Sequence, residues 1–195
     1  MRPAAEIDTC HSSHRRLVDA LARLSDDDLR SPSSLPGYSR GHVVSHLINK
    51  ATAHVSLFDG ASAGEVRQLH PDGYDADVAA EVGAGRSAAA LRSDLENAFE
   101  QLESAWELLG EELWDRQAIM TAGPRTMAEI VVHHLRNVEV HHVDLDTGYR
   151  PADWPSYFVD GELPKRLRWL EDRANHADLL AWLLGRAPAP ELGPW

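Results

Sequence analysis

Apolar residues recur every three or four positions through most of the chain, which is the spacing that buries one face of an α-helix. Four segments keep this pattern long enough to predict a long helix: about 4–24, 40–60, 86–109 and 127–144. Ser39 is placed to cap the second helix, and Thr126 with Glu129 forms the T-x-x-E pattern of a capping box at the start of the fourth. Two shorter helical segments are predicted near 155–174 and 177–185.

Runs rich in glycine, proline and serine separate the helical segments. Residues 31–39, SPSSLPGYS, predict a loop, and residues 61–84 lack periodicity and predict a long connection. The Pro-rich tail 187–195 is expected to be loosely attached. No segment alternates apolar and polar residues as a half-buried strand does. We therefore expect an all-α fold, with a helical bundle over residues 1–150 and a short C-terminal helical extension over 151–195 packed on it.

The chain is acidic, with a net charge of −12 over 195 residues. Such a surface repels phosphate backbones and anionic lipid, so we expect neither nucleic acid nor a membrane as a partner. The single cysteine, Cys10, cannot form an intrachain disulfide, and we find neither a signal segment nor an apolar run of about 18 residues. We expect a cytoplasmic protein, monomeric or homodimeric, that acts on a small molecule.

Histidines are numerous, eleven in all, and they cluster on two predicted helices. The second helix carries His42, His46 and His54, and the fourth carries His133, His134, His141 and His142. Taken singly, each histidine favours the simpler interpretation of a solvated or hydrogen-bonded side chain. Their clustering raises the alternative of a metal site, because imidazole is the commonest metal ligand and facing helices of a bundle can present ligands to one point.

The rotation of about 100° per residue places the histidines of the fourth helix relative to its apolar face. Asn137 and His141 are four residues apart, so both can reach one point, and His134 also falls on or beside the apolar face. Glu139 points almost the opposite way. On the second helix, His46 lies at the margin of the apolar arc. The phase therefore favours Asn137 and His141 over Glu139 as site residues.

Motifs typical of other chemistries are absent from the sequence. It contains no H-E-x-x-H, no G-x-S-x-G, no phosphate-binding glycine loop and no dinucleotide fingerprint. Cys10 lies on the first helix, where a small buried apolar residue is the simpler interpretation. The histidines are therefore the main candidates for chemistry.

Two segments of the chain resemble the paired signatures of the mycothiol-dependent maleylpyruvate isomerase family. They are LPGYSRGHVVSHLINKATAH and LRNVEVHHVDLDTGY. The family pattern Gly-Trp-(Ser/Thr) followed by His-x-x-x-His is matched here by residues 37–39 and by His42 and His46. The family pattern Arg-Glu-x-x-x-His-x-Val-Asp-Leu is matched by residues 136–145. The resemblance implies the DinB-like four-helix bundle that members of this family share.

The resemblance also implies a ligand set for a divalent metal, usually zinc. The second histidine of helix two, and a glutamate and a histidine four residues apart on helix four, correspond to His46, Asn137 and His141. Asn137 therefore stands where the family has glutamate. Either Asn137 ligates through its neutral oxygen, or His134 substitutes for it, or the site binds metal weakly or not at all.

The activity implied by the resemblance is thiol chemistry without a protein cysteine. A metal would lower the pKa of mycothiol, a low-molecular-weight thiol, and the thiolate would add to the cis double bond of an unsaturated oxo acid such as maleylpyruvate and leave after rotation. A thiol S-transferase would use the same site, and a degenerate metal site would leave a non-catalytic small-molecule binder. In the Gly185-Arg186 pair, which resembles a C-terminal pair of the family, Arg186 is the catalytic candidate that would hold a substrate carboxylate, with a solvated arginine as the alternative.

Overall fold

The computed structural model describes residues 1–192 and is built mainly of helices. The helices are α1 (Ala4–Leu21), α2 (Asp26–Arg30), α3 (Arg40–Ala63), α4 (Ala76–Ala84), α5 (Ala88–Leu108), α6 (Met127–Asp144), α7 (Ser156–Arg168) and α8 (His176–Leu183). Strands β1 (Gln117–Met120) and β2 (Gly123–Thr126) form one antiparallel hairpin. The predicted all-α class is therefore confirmed, and the last three residues of the Pro-rich tail, 193–195, lie outside the described residues.

Four of the helices, α1, α3, α5 and α6, form a four-helix bundle. Helix α1 packs against α5 and α6, and α3 packs against the same two helices, so α1 and α3 face each other across the bundle. The apolar stripes of the helices meet inside it, where Leu17, Leu47, Leu95, Trp106 and Ile130 are fully buried. The predicted second and fourth helices, α3 and α6, are therefore neighbours, as a ligand set drawn from both of them requires.

Both predicted helix starts are observed with their caps. The Ser39 hydroxyl accepts a hydrogen bond from the His42 backbone at the start of α3, and Thr126 and Glu129 form a complete capping box at the start of α6. Helix α3 passes through Gly60, where we predicted its end, and stops instead before Gly64. Gly64 has φ of 80°, the left-handed conformation that ends a helix and that glycine adopts without strain.

Three short elements were not predicted: α2, α4 and the hairpin. Helix α4 lies within the segment 61–84 that we interpreted as an irregular connection. It has nine residues, and each strand has four, which is too short for a periodic pattern to be distinguished from chance. Helix α4 packs closely on α3. The two helices are so near that a methyl group on Gly41 would collide with the Ala84 carbonyl oxygen, and one on Gly83 would collide with the Ser45 hydroxyl.

The hairpin leads directly into α6, and the segment just before β1 supports the first turn of that helix. The backbone N–H of Met127 donates to the Arg116 carbonyl oxygen (2.9 Å), and that of Ala128 donates to the Trp114 carbonyl oxygen (3.2 Å). These two N–H groups have no partner within the helix, so the segment that precedes β1 supplies their acceptors. The start of the helix that carries the second histidine cluster is thereby fixed.

The chain divides into two compact units, Met1–Asp153 and a second unit that begins at Trp154. The first contains the bundle and the hairpin, and the second contains α7 and α8. In the described part of the chain, no helix is both long enough and apolar enough to cross a membrane.

Candidate functional site

Two histidine rings face each other between α3 and α6. The ring centroids of His46 and His141 are 4.8 Å apart, with the ring planes at 68°. Both side chains are half-buried. His46 lies in the first half of α3, and His141 lies in the last turn of α6, so the packing of these two helices brings the rings together.

Asn137 joins this pair from one turn earlier on α6. Its side chain interacts with His46 in the sense that favours the protonated ring, and its buried amide nitrogen has no hydrogen-bond partner among residues 1–192. Burial, followed by the nearby His141 and Lys50, outweighs that interaction and lowers the pKa of His46 to about 4. His46 is therefore neutral at pH 7 and keeps a lone pair that can bind a cation.

Asp144 orients the His141 ring. Its Oδ2 lies 2.8 Å from Nδ1 of His141, one turn away on the same helix. Because the carboxylate can only accept, Nδ1 carries the proton and Nε2 keeps the lone pair. A carboxylate behind the imidazole is the usual support of a metal-binding histidine, since it fixes the tautomer and raises the basicity of the ligating nitrogen.

These residues can be tested as a donor set for a divalent metal ion. Two imidazoles and one side-chain amide lie together between two helices, which suits the number of protein ligands of a catalytic zinc site. Within residues 1–192, no three side chains of His, Cys, Asp or Glu are arranged so that they could hold a metal ion, so Asn137 would have to be the third ligand. The donor set therefore fits a divalent ion in number, and it lacks the negative charge that a carboxylate would add.

His134, considered as a substitute ligand, belongs to a different cluster. Its Nε2 lies 2.8 Å from Nε2 of His14, and its Nδ1 lies 3.2 Å from Nδ1 of His54. Both ring nitrogens are therefore used deeper in the bundle. His42 also points elsewhere: its Nδ1 accepts from the Ser39 backbone N–H, and its Nε2 lies 2.6 Å from a carboxylate oxygen of Glu81.

Glu139 lies on another face of α6 from His141, in the direction that the helix phase indicates, and this face is covered by α1. Its carboxylate is 1% exposed, accepts from the Ser13 hydroxyl and the Arg16 guanidinium (2.8 Å), and accepts from the Tyr149 hydroxyl at 2.5 Å. The Tyr149 ring stacks on His142 at 3.9 Å. Glu139 is thus a buried link between α1, α6 and the segment after α6.

Lys50 is a residue of this region that the sequence analysis did not single out. It lies one turn after His46 on α3, and its Nζ is 3.1 Å from Nε2 of His70. Burial lowers the pKa of the Lys50 ammonium, and no carboxylate partner of Lys50 is found in the described part of the chain. The spacing of four residues that runs from His42 through His46 and Lys50 to His54 is the signal that could have identified it.

Arg186 belongs to the second unit. It follows α8, after Gly185 with φ of 68°, and its backbone N–H donates to the Ala181 carbonyl oxygen at 2.8 Å. Its side chain is exposed. The role of Arg186 as a carboxylate-binding residue stays a prediction from the sequence.

The fold and the arrangement of His46, Asn137 and His141 define the class of the protein: a DinB-like four-helix bundle with a polar site between two of its helices. Residues 10–146 match the sequence model of the mycothiol maleylpyruvate isomerase N-terminal domain. This match covers well over half of the chain, and the chain therefore belongs to the mycothiol-dependent maleylpyruvate isomerase family.

Solved structures agree on the fold. The crystal structure of the mycothiol-dependent maleylpyruvate isomerase superposes with a TM-score of 0.77 at 20% identity, over 82% of this chain and 67% of the other. A histidine-to-alanine mutant of that isomerase superposes with 0.82 at 19% identity, over 90% and 74%. YfiT from Bacillus subtilis, described as a probable metal-dependent hydrolase with an unusual four-helix bundle topology, superposes with 0.62 at 16% identity, over 78% and 89%. No functionally curated protein matches the chain at a significant level.

Proposed function

We propose that this protein is a metal-dependent enzyme that uses mycothiol to isomerise the cis double bond of an unsaturated oxo acid. The observation that carries the proposal is the convergence of His46, Asn137 and His141 in the domain that the family shares. A thiol S-transferase would use the same residues, and the two outcomes differ only in whether the thiol leaves the product.

The residues of the chain have defined tasks in this proposal. His46, Asn137 and His141 would hold the divalent ion. Asp144 accepts a hydrogen bond from Nδ1 of His141, which leaves the Nε2 lone pair of that ring to bind the ion. A bound divalent ion would supply a lowered thiol pKa, which makes the thiolate abundant near pH 7. Lys50 supplies positive charge for an anionic substrate in a protein whose overall charge would repel one.

Removal of either imidazole ligand tests the metal site. We expect His46→Ala and His141→Ala each to weaken zinc binding by more than about 100-fold, because each substitution leaves only two of the three protein ligands. His176→Ala, which removes an exposed histidine of the second unit, is the matched control and should bind zinc like the parent. Metal content and zinc titration of protein purified without a histidine tag measure the effect. Asn137→Glu should tighten binding by about tenfold or more, since it adds a charged ligand.

Several results would contradict this assignment. The ligand set would be wrong if His46→Ala kept the metal while a folded Glu139→Ala variant lost it. If the parent protein bound no divalent ion and Asn137→Glu created a site, the alternative of a non-catalytic small-molecule binder would be supported, with Asn137 as its cause.

The thiol in this reaction comes from outside the protein. Cys10 is fully buried in α1, and burial raises the pKa of its thiol well above the usual value, so it cannot supply a thiolate. We therefore expect Cys10→Ala to isomerise maleylpyruvate at a rate within about twofold of the parent, and omission of mycothiol to abolish the reaction. The absorbance change of the substrate measures the rate, and mass spectrometry distinguishes the trans isomer from a thioether adduct. Loss of turnover in a folded Cys10→Ala variant would contradict the proposal.

A further inference from the structure

A line of polar side chains crosses the core of the bundle away from His46 and His141. It takes one residue from each of the four bundle helices: Glu103 from α5, His14 from α1, His134 from α6 and His54 from α3. Nδ1 of His14 lies 2.6 Å from Oε1 of Glu103, and the two further links are those already described, at 2.8 Å and 3.2 Å. All three separations are hydrogen-bond distances.

The position of every proton in this line follows from the carboxylate at its end. Glu103 can only accept, so His14 carries its proton on Nδ1 and accepts on Nε2. His134 must then donate from Nε2 and accept on Nδ1, and His54 must donate from Nδ1. Nε2 of His54 therefore keeps its lone pair, and this buried nitrogen has no hydrogen-bond partner among residues 1–192.

The surroundings keep the three imidazoles neutral and dry. His14, His54 and His134 are at most 3% exposed, and burial lowers the pKa of each. Phe99 stacks on His14 at 3.8 Å, and Trp106 lies 5.7 Å from the His134 ring. The Glu103 side chain, in contrast, is 30% exposed and reaches water.

A polar network with a purely structural role would explain these hydrogen bonds, but it would not explain the groups at the two ends of the line. A network that only stabilises the core ends on satisfied groups, because each unsatisfied buried polar atom costs free energy. Here one end is a solvent-accessible carboxylate, and the other is a buried nitrogen with an unused lone pair. These are the two ends that a path for protons needs.

We propose that Glu103, His14, His134 and His54 form a proton relay that connects the interior of the bundle with solvent. A proton that binds Nε2 of His54 releases the proton on Nδ1 to His134. His134 in turn releases its Nε2 proton to His14. The charge then rests on His14 as an imidazolium beside the Glu103 carboxylate, and each of the other two rings is again neutral.

The relay suits the proposed function, and its use as the proton acceptor of the thiol rests on that function. His54 lies two turns after His46 on α3, with Lys50 between them, so a proton released near His46 has about 12 Å to travel along the helix. In every turnover the thiol releases one proton when it adds to the substrate, and it recovers one proton when it is eliminated. Reversal of the same hops therefore resets the relay without any ring rotation.

Exchange of ring protons with deuterated solvent tests the relay without substrate, thiol or metal. In protein labelled with nitrogen-15, we expect His14 and His54 protonated on Nδ1 and His134 on Nε2. We expect the His134 proton to exchange about tenfold or more faster than the indole N–H of Trp114, which is equally buried and exchanges only when the bundle opens. Glu103→Gln should reduce the His134 rate to that of Trp114, because an amide cannot stabilise an imidazolium.

Glu100→Gln is the matched control, since it removes an exposed carboxylate one turn away on α5, and it should leave both rates unchanged. Equal exchange of His134 and Trp114 in the parent protein would overturn the relay, and so would protonation of His54 on Nε2. Because these readouts need no turnover, the relay can fail while the proposed isomerase activity stands, or be confirmed while that activity fails.

Discussion

The free energy of unfolding is expected to fall steeply as the pH is lowered from 7 to 5, and the protein should unfold in mild acid. The cause is the set of histidines that folding holds in the neutral form. Burial, as the largest cause, lowers the pKa of His46 and His142 to about 4, and lowers the pKa of His54 and His134 well below its usual value. In the unfolded chain, each of these residues returns to a pKa of about 6.5.

The direction of the effect follows from proton counts. Between pH 6.5 and 4 the unfolded chain binds more protons at these positions than the folded one, so acid favours unfolding, and this stability is fully present only above about pH 6.5. At pH 5 each histidine whose folded-state pKa is about 4 costs about 2 kcal/mol, so His46 and His142 together cost about 4 kcal/mol, and His54 and His134 add to this cost in the same direction. The whole stability of a typical domain is only about 5–15 kcal/mol.

Urea denaturation of chelator-treated protein at pH 7, 6 and 5 measures the effect without interference from bound metal. His142→Gln should reduce the slope between pH 6 and 5 by about 1.2 kcal/mol per pH unit, because one titrating group is removed. His176→Gln changes an exposed histidine instead and should keep the slope of the parent. A free energy of unfolding that stays constant from pH 7 to 5 would show that the buried rings are protonated in the folded protein.

Glu139→Ala is expected to lower the free energy of unfolding by about 3 kcal/mol at pH 7. The carboxylate is almost fully buried and accepts hydrogen bonds from Ser13, Arg16 and Tyr149, which come from two separate segments of the chain. Its removal leaves three donors without their acceptor and a guanidinium without its counter-charge. It also leaves a cavity between α1 and α6.

Chemical denaturation measures this loss, and Val140→Ala, one residue further along α6 and partly exposed, is the comparison. That substitution should change the free energy of unfolding by less than about 1 kcal/mol, since it breaks no polar contact. A Glu139→Ala loss no larger than that of Val140→Ala would mean that the buried ion pair contributes nothing beyond packing.

The long helices could be predicted from the sequence because each carries several turns of an apolar stripe and a local cap. The capping box at Thr126 and the serine cap at Ser39 are short-range features, and both were located correctly. The end of α3 was placed too early, because Gly60 is buried inside the helix and the left-handed residue is Gly64. Helix α4 is held by its contact with α3, and tertiary contacts of this kind leave no periodic signal in nine residues.

The sequence could predict which site residues lie side by side only where those residues are on the same helix. The spacing of four residues placed Asn137 beside His141, and the structure has His46 facing both. The phase of α6 separated Glu139 from them, but it could not show that α1 covers that face. The line from Glu103 to His54 escaped detection because its four members lie on four helices, and spacing within one helix does not reveal which faces meet.

The close contact between α3 and α4 has a consequence for sequence divergence in this family. Gly41 and Gly83 contribute no polar side chain, yet they set how near the two helices approach each other. His46 lies between one and two turns after Gly41 on the same helix. A side chain at either glycine would push α4 away from α3 beside the turn that carries His46, so both positions should stay glycine in relatives that keep this helix contact.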